Sequence, residues 1–202
     1  MEQLKKLIQA GNHKLPSTTA IFNMSSATDC PSLKFGLCSA VDENGKLFCY
    51  AVKAERGYRP DVLPYRRRQE KFWKSISAEK FAEQFIAINA RKRKKFTALR
   101  LNEAGDFHSQ ECIDKAEKIA TILKPTGVKV YGYTARKDLS YKKIDNLVVN
   151  GSGWQKDNIT NDFKIVNKDG TGLPKGYKLC PMDCSICIRC LVKGSMTGVR
   201  KH

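Results

Sequence analysis

Residues 97–134 read TALRLNEAGDFHSQECIDKAEKIATILKPTGVKVYGYT, with two apolar runs on either side of an amphipathic segment. The runs at 97–101 and 128–133 have the length and apolar content of buried strands. The segment between them follows Ser109, a residue type favoured at helix N-caps, and repeats apolar residues at helical spacing. Two strands joined by one helix pair in parallel through a right-handed crossover, so this stretch predicts a βαβ unit.

The same alternation of strands and helices extends on both sides of this unit. The other predicted elements are strands at 19–25, 146–150 and 163–166, helices at 1–11, 48–55 and from Ser77 into the basic run 91–95, and a loop at 29–45. We therefore expect an α/β fold in a single domain, 1–202. It comprises a partial parallel (β/α) barrel-like core at 19–170 and a C-terminal cysteine-rich metal-binding loop at 175–195.

Polar residues follow four of the predicted strands. The carboxyl ends of parallel strands meet at one edge of a sheet, where the chemistry of such folds gathers, although turns favour the same residue types. Glu103, Asp106 and Thr134 are the candidate catalytic residues. The full set of polar residues at the strand exits is Asn23, Ser25, Asn102, Glu103, Asp106, Thr134, Arg136, Asn150 and Ser152.

The composition of the chain restricts its class. None of its apolar runs approaches the 18 residues of a membrane span, and Met1 to Leu7 lacks the apolar stretch of a signal peptide. We therefore expect a protein of the reducing cytoplasm with no membrane partner. In that compartment its 8 cysteines are more typical of metal ligands than of disulfides. Nucleophile-elbow, zinc-protease and Walker motifs are missing from the sequence, which argues against ordinary hydrolase chemistry.

Four cysteines lie within eleven residues near the C-terminus: Cys180, Cys184, Cys187 and Cys190. Structural zinc sites usually take two cysteine pairs from well-separated knuckles, whereas these thiols share one tight loop. Their intervals are those of the bacterial ferredoxin motif in reverse order, with a proline after the outlying cysteine. The spacing predicts a metal site, and it favours a [4Fe–4S] cluster over zinc.

A second group of cysteines lies upstream, at Cys30, Cys38 and Cys49. These three thiols could hold one more cluster with an open position, so the cofactor is one [4Fe–4S] cluster or two. The eighth cysteine, Cys112, falls in the first turn of the predicted helix after Ser109, where a lone cysteine is more often a small buried hydrophobe. The sequence leaves the division of ligands between the groups open.

The formal charge of +17 is concentrated in one quarter of the chain. Residues 53–100 contain 15 basic and five acidic side chains, with four aromatic residues near the first basic cluster. Such a surface can bind DNA or RNA, or an acidic host protein, and the alternative is a solvated face that keeps the protein soluble. The candidate polyanion-binding residues are Arg66, Arg67, Arg68, Arg91, Lys92, Arg93, Lys94 and Lys95.

The order of several short motifs resembles the phage and plasmid gene product 88 family, from about Thr19 to Cys190. They are Cys30-Pro31, Cys38, Cys49-Tyr50-Ala51, Arg59-Pro60, Tyr65-Arg66, Leu99-Arg100-Leu101-Asn102, Gly105-Asp106-Phe107 and Tyr131-Gly132-Tyr133-Thr134. The resemblance implies a mobile-element origin, an infected or plasmid-bearing bacterial host, and a core similar to a reduced radical-SAM barrel with cluster-binding cysteines. The family has no established activity.

Three functions are compatible with these observations. The first is an iron–sulfur protein whose basic face binds nucleic acid or an acidic partner, with the cluster as a structural clamp or redox sensor. The second is a radical-SAM-like enzyme that uses the three upstream cysteines. Cys180, Cys184 and Cys187 also show the interval of that class, but they follow the last predicted strand and not the first. The third is a zinc-bound adaptor of the host transcription machinery.

Overall fold

The computed structural model describes residues 3–38, 45, 47, 49–57 and 60–201. The helices in these ranges are α1 Pro31–Lys34, α2 Tyr50–Arg56, α3 Val62–Ser75, α4 Ala78–Ala90 and α5 Gln110–Leu123. The strands are β1 Gln9–Ala10, β2 Thr19–Phe22, β3 Ala98–Leu101, β4 Lys129–Thr134, β5 Val148–Ser152, β6 Asn161–Val166, β7 Lys178–Leu179 and β8 Met196–Arg200. Across these ranges, none of the helices has the length and apolar character needed to cross a membrane.

The eight strands form one sheet in the order β1-β2-β3-β4-β5-β6-β8-β7. Every pair of neighbours is parallel except β1 with β2. The sheet is open, with β1 and β7 at its two edges. The expected parallel α/β core is confirmed. The expected partial barrel is instead an open sheet.

In the described ranges, the long helices α3, α4 and α5 pack on one face of this sheet. α5 joins β3 to β4, and α3 and α4 lie between β2 and β3 in the chain, whereas β4, β5 and β6 follow one another through the loops 135–147 and 153–160. The covered face packs Phe22 against Trp73 of α3 and Phe81 of α4, with ring centroids 6.0 and 5.1 Å apart. Full burial of each such ring contributes roughly 2–3 kcal/mol, so these contacts hold the helices on the sheet.

Several of the predicted elements are confirmed. The βαβ unit at 97–134 is present with its strands in register, Ala98 opposite Lys129. α4 follows Ser77, whose hydroxyl accepts a hydrogen bond from the Lys80 amide at 3.2 Å. α5 begins after Ser109, although that hydroxyl makes no capping bond.

Other expectations differ from the structure. Instead of the helix expected at 1–11, the structure has a 3-10 helix over Leu4–Lys6 followed by β1. Leu4 and Leu7 are buried in the core, and their packing holds this short turn in place. The strand expected at 146–150 lies two residues later, at β5. The sequence pattern did not indicate α3. The expected metal loop 175–195 contains β7 and a 3-10 helix over Arg189–Leu191.

The strand exits at the carboxyl edge are bonded to one another across the sheet. The side chain of Asn23, after β2, accepts from the amide of Ala104, after β3, at 2.8 Å. Gly105, with φ +73°, brings that loop so close to Ser25 that a Cβ would lie 1.9 Å from the Ser25 Oγ. The exits therefore form one interlocked layer, and Gly105 is the point of closest approach.

Gly105→Ala should lower the free energy of unfolding by more than Gly127→Ala. Gly127 is the matched control because its φ is +76° and no atom lies within 4 Å of an added Cβ. A left-handed alanine costs on the order of 1 kcal/mol at either position, and the contact with Ser25 adds to that cost at Gly105 alone. Urea unfolding measures both values, and equal losses would contradict the close approach.

Candidate metal centre on the second face of the sheet

Alternate residues of the central strands point away from the helices and form what we call the second face: Ala98, Arg100, Tyr131, Tyr133, Val148 and Asn150. Leu99 and Val130 belong to the helix-covered core, so their neighbours along each strand must face the other way. Ala98, Tyr131 and Val148 form a separate buried cluster, and Tyr133, Cys190 and Leu191 pack against it. The C-terminal cysteines are therefore brought to this second face.

The segment Cys180–Cys190, here called the thiol segment, is fastened to the sheet at several points. The side-chain amide of Asn150 donates to the Cys190 carbonyl at 3.2 Å, and that of Asn161 donates to the Val192 carbonyl at 2.9 Å. At its other end, the Cys180 amide donates to the carbonyl of Gly198, in β8, at 2.8 Å. These bonds hold a largely irregular segment against β5, β6 and β8.

A loop near the N-terminus holds the middle of the thiol segment. The Cys184 amide donates to the Lys14 carbonyl at 3.0 Å. Asn12 fixes that loop, since its Oδ1 accepts from the amides of Lys14 and Leu15, each at 2.8 Å. This contact joins two parts of the chain, at Lys14 and Cys184, that are about 170 residues apart in the sequence.

Burial changes the acidity of two thiols in this segment. Burial raises the pKa of Cys190 to about 11, and a hydrogen bond from the Tyr133 hydroxyl opposes the shift. Burial also raises the pKa of Cys184, and the charges of Cys180 and Cys187 add to that rise. Among the described residues, however, no three His, Cys, Asp or Glu side chains have the mutual arrangement of metal ligands.

The upstream cysteines occupy a different part of the fold. Burial raises the pKa of Cys30 to about 12, with smaller contributions in the same direction from Asp106 and Cys38. Cys38 is held to the same turn, because its amide donates to the Ser32 carbonyl at 3.2 Å. Cys49 precedes α2 and packs against the small apolar cluster of Ala27, Ala51, Val52 and Ala104.

Cys112 lies in the helix-covered core, apart from both groups. Its Sγ accepts a hydrogen bond from the Trp73 indole at 3.2 Å and lies 3.6 Å from the Met24 sulfur. Burial raises its pKa to about 11. All eight cysteines are free thiols, and this one is a packed core residue.

Asp106, one of the three candidate catalytic residues, is buried among hydrogen-bond donors. Its Oδ2 accepts from the Ser32 hydroxyl at 2.5 Å and from the Ala135 amide at 2.8 Å, and its Oδ1 accepts from the Phe107 amide at 2.7 Å. Burial raises its pKa, and these bonds with one from Thr134 oppose the rise. The carboxylate therefore joins α1 to the segments that follow β3 and β4.

The other two candidates differ in their surroundings. Thr134 is buried, and its Oγ1 accepts from the Arg136 amide at 3.0 Å and lies 3.3 Å from the Tyr141 hydroxyl. The Glu103 carboxylate accepts from Asn12 at 2.5 Å and lies 3.9 Å from Arg66. The structure thus brings the polar strand exits together, and their polar atoms bond mainly to one another.

The first basic cluster is divided between the interior and the surface. Arg66 is buried, 2.9 Å from the Glu55 carboxylate, so it is not available to an external polyanion. Exposed Arg67 lies 2.9 Å from Asp29, and exposed Arg68 stacks on the Tyr65 ring at 5.8 Å.

The second basic cluster, Arg91–Lys95, follows α4 and directly precedes β3. It therefore lies at the amino edge of the sheet, whereas Arg66 lies beside Glu103 at the carboxyl edge. Lys92 is half-buried, and the other four residues are exposed. The two clusters do not form one surface.

Sequence reasoning missed the residues that line the thiol segment. Arg100, Tyr131 and Tyr133 occur as single members of short strands, and only the pairing of those strands places them side by side. The Arg100 guanidinium lies 5.0 Å from the centroid of the Tyr133 ring. The alternation in the strand KVYGYT was the one available signal, since it puts both tyrosines on one face.

A comparison with protein families decides the relationship of the chain. The model of the family described as gene product 88 matches residues 2–166, well over half of the sequence. The chain belongs to the gene product 88 family. Comparisons with curated proteins and with solved structures gave no match.

The gene product 88 match confirms the resemblance at the level of the family and corrects its extent. We expected it to reach Cys190, but it ends at Val166, the last residue of β6. The upstream cysteines and Arg100 lie within the matched part, and the thiol segment lies beyond it. The support for the thiol segment therefore comes from its own spacing and anchoring.

Asp106→Asn should lower the free energy of unfolding by about 1–3 kcal/mol. The side-chain NH2 of asparagine would face a backbone N–H that needs an acceptor. Glu79→Gln is the matched control, since this carboxylate pairs with Lys118 and both side chains are more than half exposed. Loss of an exposed pair costs less than about 1 kcal/mol. Thermal unfolding compares the two variants, and an unchanged Asp106→Asn midpoint would refute the structural role.

Proposed function

We propose that this member of the gene product 88 family is an iron–sulfur protein that binds a [4Fe–4S] cluster through Cys180, Cys184, Cys187 and Cys190. The observation that carries the proposal is the anchoring of four closely spaced thiols across one face of the sheet. Anchors at Gly198, Lys14 and Asn150 restrict the segment while leaving it irregular. A segment that wraps around a cluster must be held in place and must also be free of regular secondary structure.

The donor set suits this group. Soft thiolate ligands select iron–sulfur clusters, zinc or cuprous ions, and four thiols on one short segment match the number that a cubane requires. Half-buried ligands beside Tyr131 and Tyr133 would shield the cluster from water. When bound, the cluster would cross-link the segment and supply one-electron redox chemistry.

Four thiolate ligands leave no open coordination position, which favours a structural or redox-sensing role over substrate conversion. The radical-SAM-like alternative uses Cys30, Cys38 and Cys49 and needs polar groups free to hold a cofactor. Asp106 and Thr134 use their oxygen atoms within the fold, so that alternative has less support. Calorimetric binding of SAM to the reduced protein would favour it.

Anaerobically purified protein should be brown and contain iron and sulfide, as shown by chemical quantitation and by thiolate-to-iron absorbance. Cys184→Ala should remove most of the iron and lower the melting temperature, because metal binding and folding are coupled. Cys112→Ala is the matched control, since it also deletes one thiol but lies in the core. It should lose some stability and keep its iron.

The opposite outcomes are equally clear. A colourless protein that contains stoichiometric zinc would show that the site binds zinc and not a cluster. That result would favour an adaptor of the host transcription machinery. Protein that binds neither metal would refute the proposal. A reducing compartment such as the cytoplasm of a bacterial host would keep the thiols available as ligands.

We propose polyanion binding as a second function, located at Arg91–Lys95. In the part of the chain that the structure describes, none of these five side chains forms an ion pair with a carboxylate. The Lys92 ammonium lies 4.3 Å from the centroid of the Phe96 ring, and Lys95 donates to the Ala90 carbonyl at 2.6 Å. A run of cations that lack carboxylate partners is suited to phosphates.

Replacement of all five residues of this run by glutamine should weaken binding to a short DNA or RNA duplex and flatten its salt dependence, as measured by fluorescence anisotropy. The matched control removes the same charge from the scattered exposed residues Lys5, Lys6, Lys53, Lys168 and Lys175. Equal weakening in both variants would show that only net charge matters. Lack of binding by the unmodified protein at low salt would reject the function.

A further inference from the structure

The guanidinium of Arg100 is a charge without a carboxylate partner among the described residues. This side chain belongs to β3, is half-buried on the second face, and stacks over the Tyr133 ring at 5.0 Å. Its Nε is buried and has no hydrogen-bond partner. A buried guanidinium is costly unless an anion and acceptors compensate it, so this position calls for a negative group.

The Glu103 carboxylate acts on Arg100 electrostatically, but it is already engaged elsewhere, because it accepts a hydrogen bond from Asn12 and lies 3.9 Å from Arg66. The remaining acidic groups around Arg100 are the phenols of Tyr50, Tyr131 and Tyr133, which are neutral at physiological pH.

The thiol segment supplies the groups that Arg100 faces. The charge of Arg100 acts on both Cys184 and Cys190. Tyr133 contacts both sides, because its ring lies under the Arg100 guanidinium and its hydroxyl donates a hydrogen bond to Cys190. Lys14 is a second cation at the same place: burial lowers its pKa, and the charges of Cys180 and Cys184 oppose that shift. Two cations thus stand against three of the four thiols.

We propose that Arg100, together with Lys14, is the counter-charge of the metal–thiolate centre and stabilises its metal-bound form. This inference rests on the proposed function, since it requires that the thiol segment bind metal. A divalent ion or a cubane with four thiolates carries a net negative charge, which a half-buried site cannot hold without compensation. The guanidinium, which stacks over the Tyr133 ring, would offset that charge.

The test uses Co²⁺ as a probe, because its thiolate charge-transfer absorbance reports the metal–sulfur bonds directly. Reduced full-length protein is titrated with Co²⁺ under anaerobic conditions, and the same is done for Arg100→Met, Arg100→Lys and Lys14→Met. Arg100→Met should weaken Co²⁺ binding about 10- to 100-fold, the usual cost of losing a group that supports the ligands from outside. Arg100→Lys should recover most of that affinity, and Lys14→Met should give a smaller loss.

Arg56→Met is the matched control, because it removes one arginine charge from an exposed position at the end of α2. It should bind Co²⁺ as tightly as the unmodified protein. Circular dichroism establishes that each variant is folded. If Arg100→Met does not fold, Arg100→Lys and Lys14→Met carry the test, with Lys14→Met again expected to weaken binding.

The outcomes separate the two proposals. If the unmodified protein binds no Co²⁺ and assembles no cluster, both the proposed function and this inference fail. If it binds Co²⁺ and Arg100→Met binds equally well, the metal centre stands and the counter-charge role is overturned. If Arg56→Met weakens binding as much as Arg100→Met does, the effect comes from overall charge and the inference is also overturned.

Discussion

A parallel sheet must bury both faces, because its strands are apolar on either side. In this protein α3, α4 and α5 cover one face, and the loops after β4 and β5 provide no helices for the other. The thiol segment covers that second face instead, with Cys190 and Leu191 against Tyr131 and Val148. The placement of the C-terminal cysteines therefore follows from the distribution of helices along the chain.

The polar residues of the molecule fall into two groups with different tasks. At the carboxyl edge, Asn23, Ser25 and Asp106 bond the strand exits to one another and use up their polar atoms. On the second face, the Arg100 Nε has no hydrogen-bond partner in the described part of the chain, and the thiol segment packs nearby. In many parallel folds the exits carry the chemistry. Here they hold the loops in place, and the C-terminal thiols lie against a face of the sheet.

The sequence predicted the parts of the molecule that have a strong local pattern. The βαβ unit and α4 were found because their apolar residues repeat at regular spacing, and the thiol segment was found because four cysteines lie close together. α3 was missed because three successive arginines interrupt its apolar pattern and a proline lies in its first turn. Arg100 was missed because a four-residue strand does not reveal which face the helices cover. That information arises only from the pairing of distant strands.

The strand order at the far end of the sheet affects how the protein is assembled. β7 precedes β8 in the chain, yet β8 lies between β6 and β7, and the thiol segment leaves β7 before β8 is reached. β7 is joined to the sheet through β8, and the Cys180 amide bonds to Gly198 in β8, so β7 and this anchor of the thiol segment can join the sheet only together with β8. Until β8 has paired with β6, the four thiols therefore lack their anchor at Cys180.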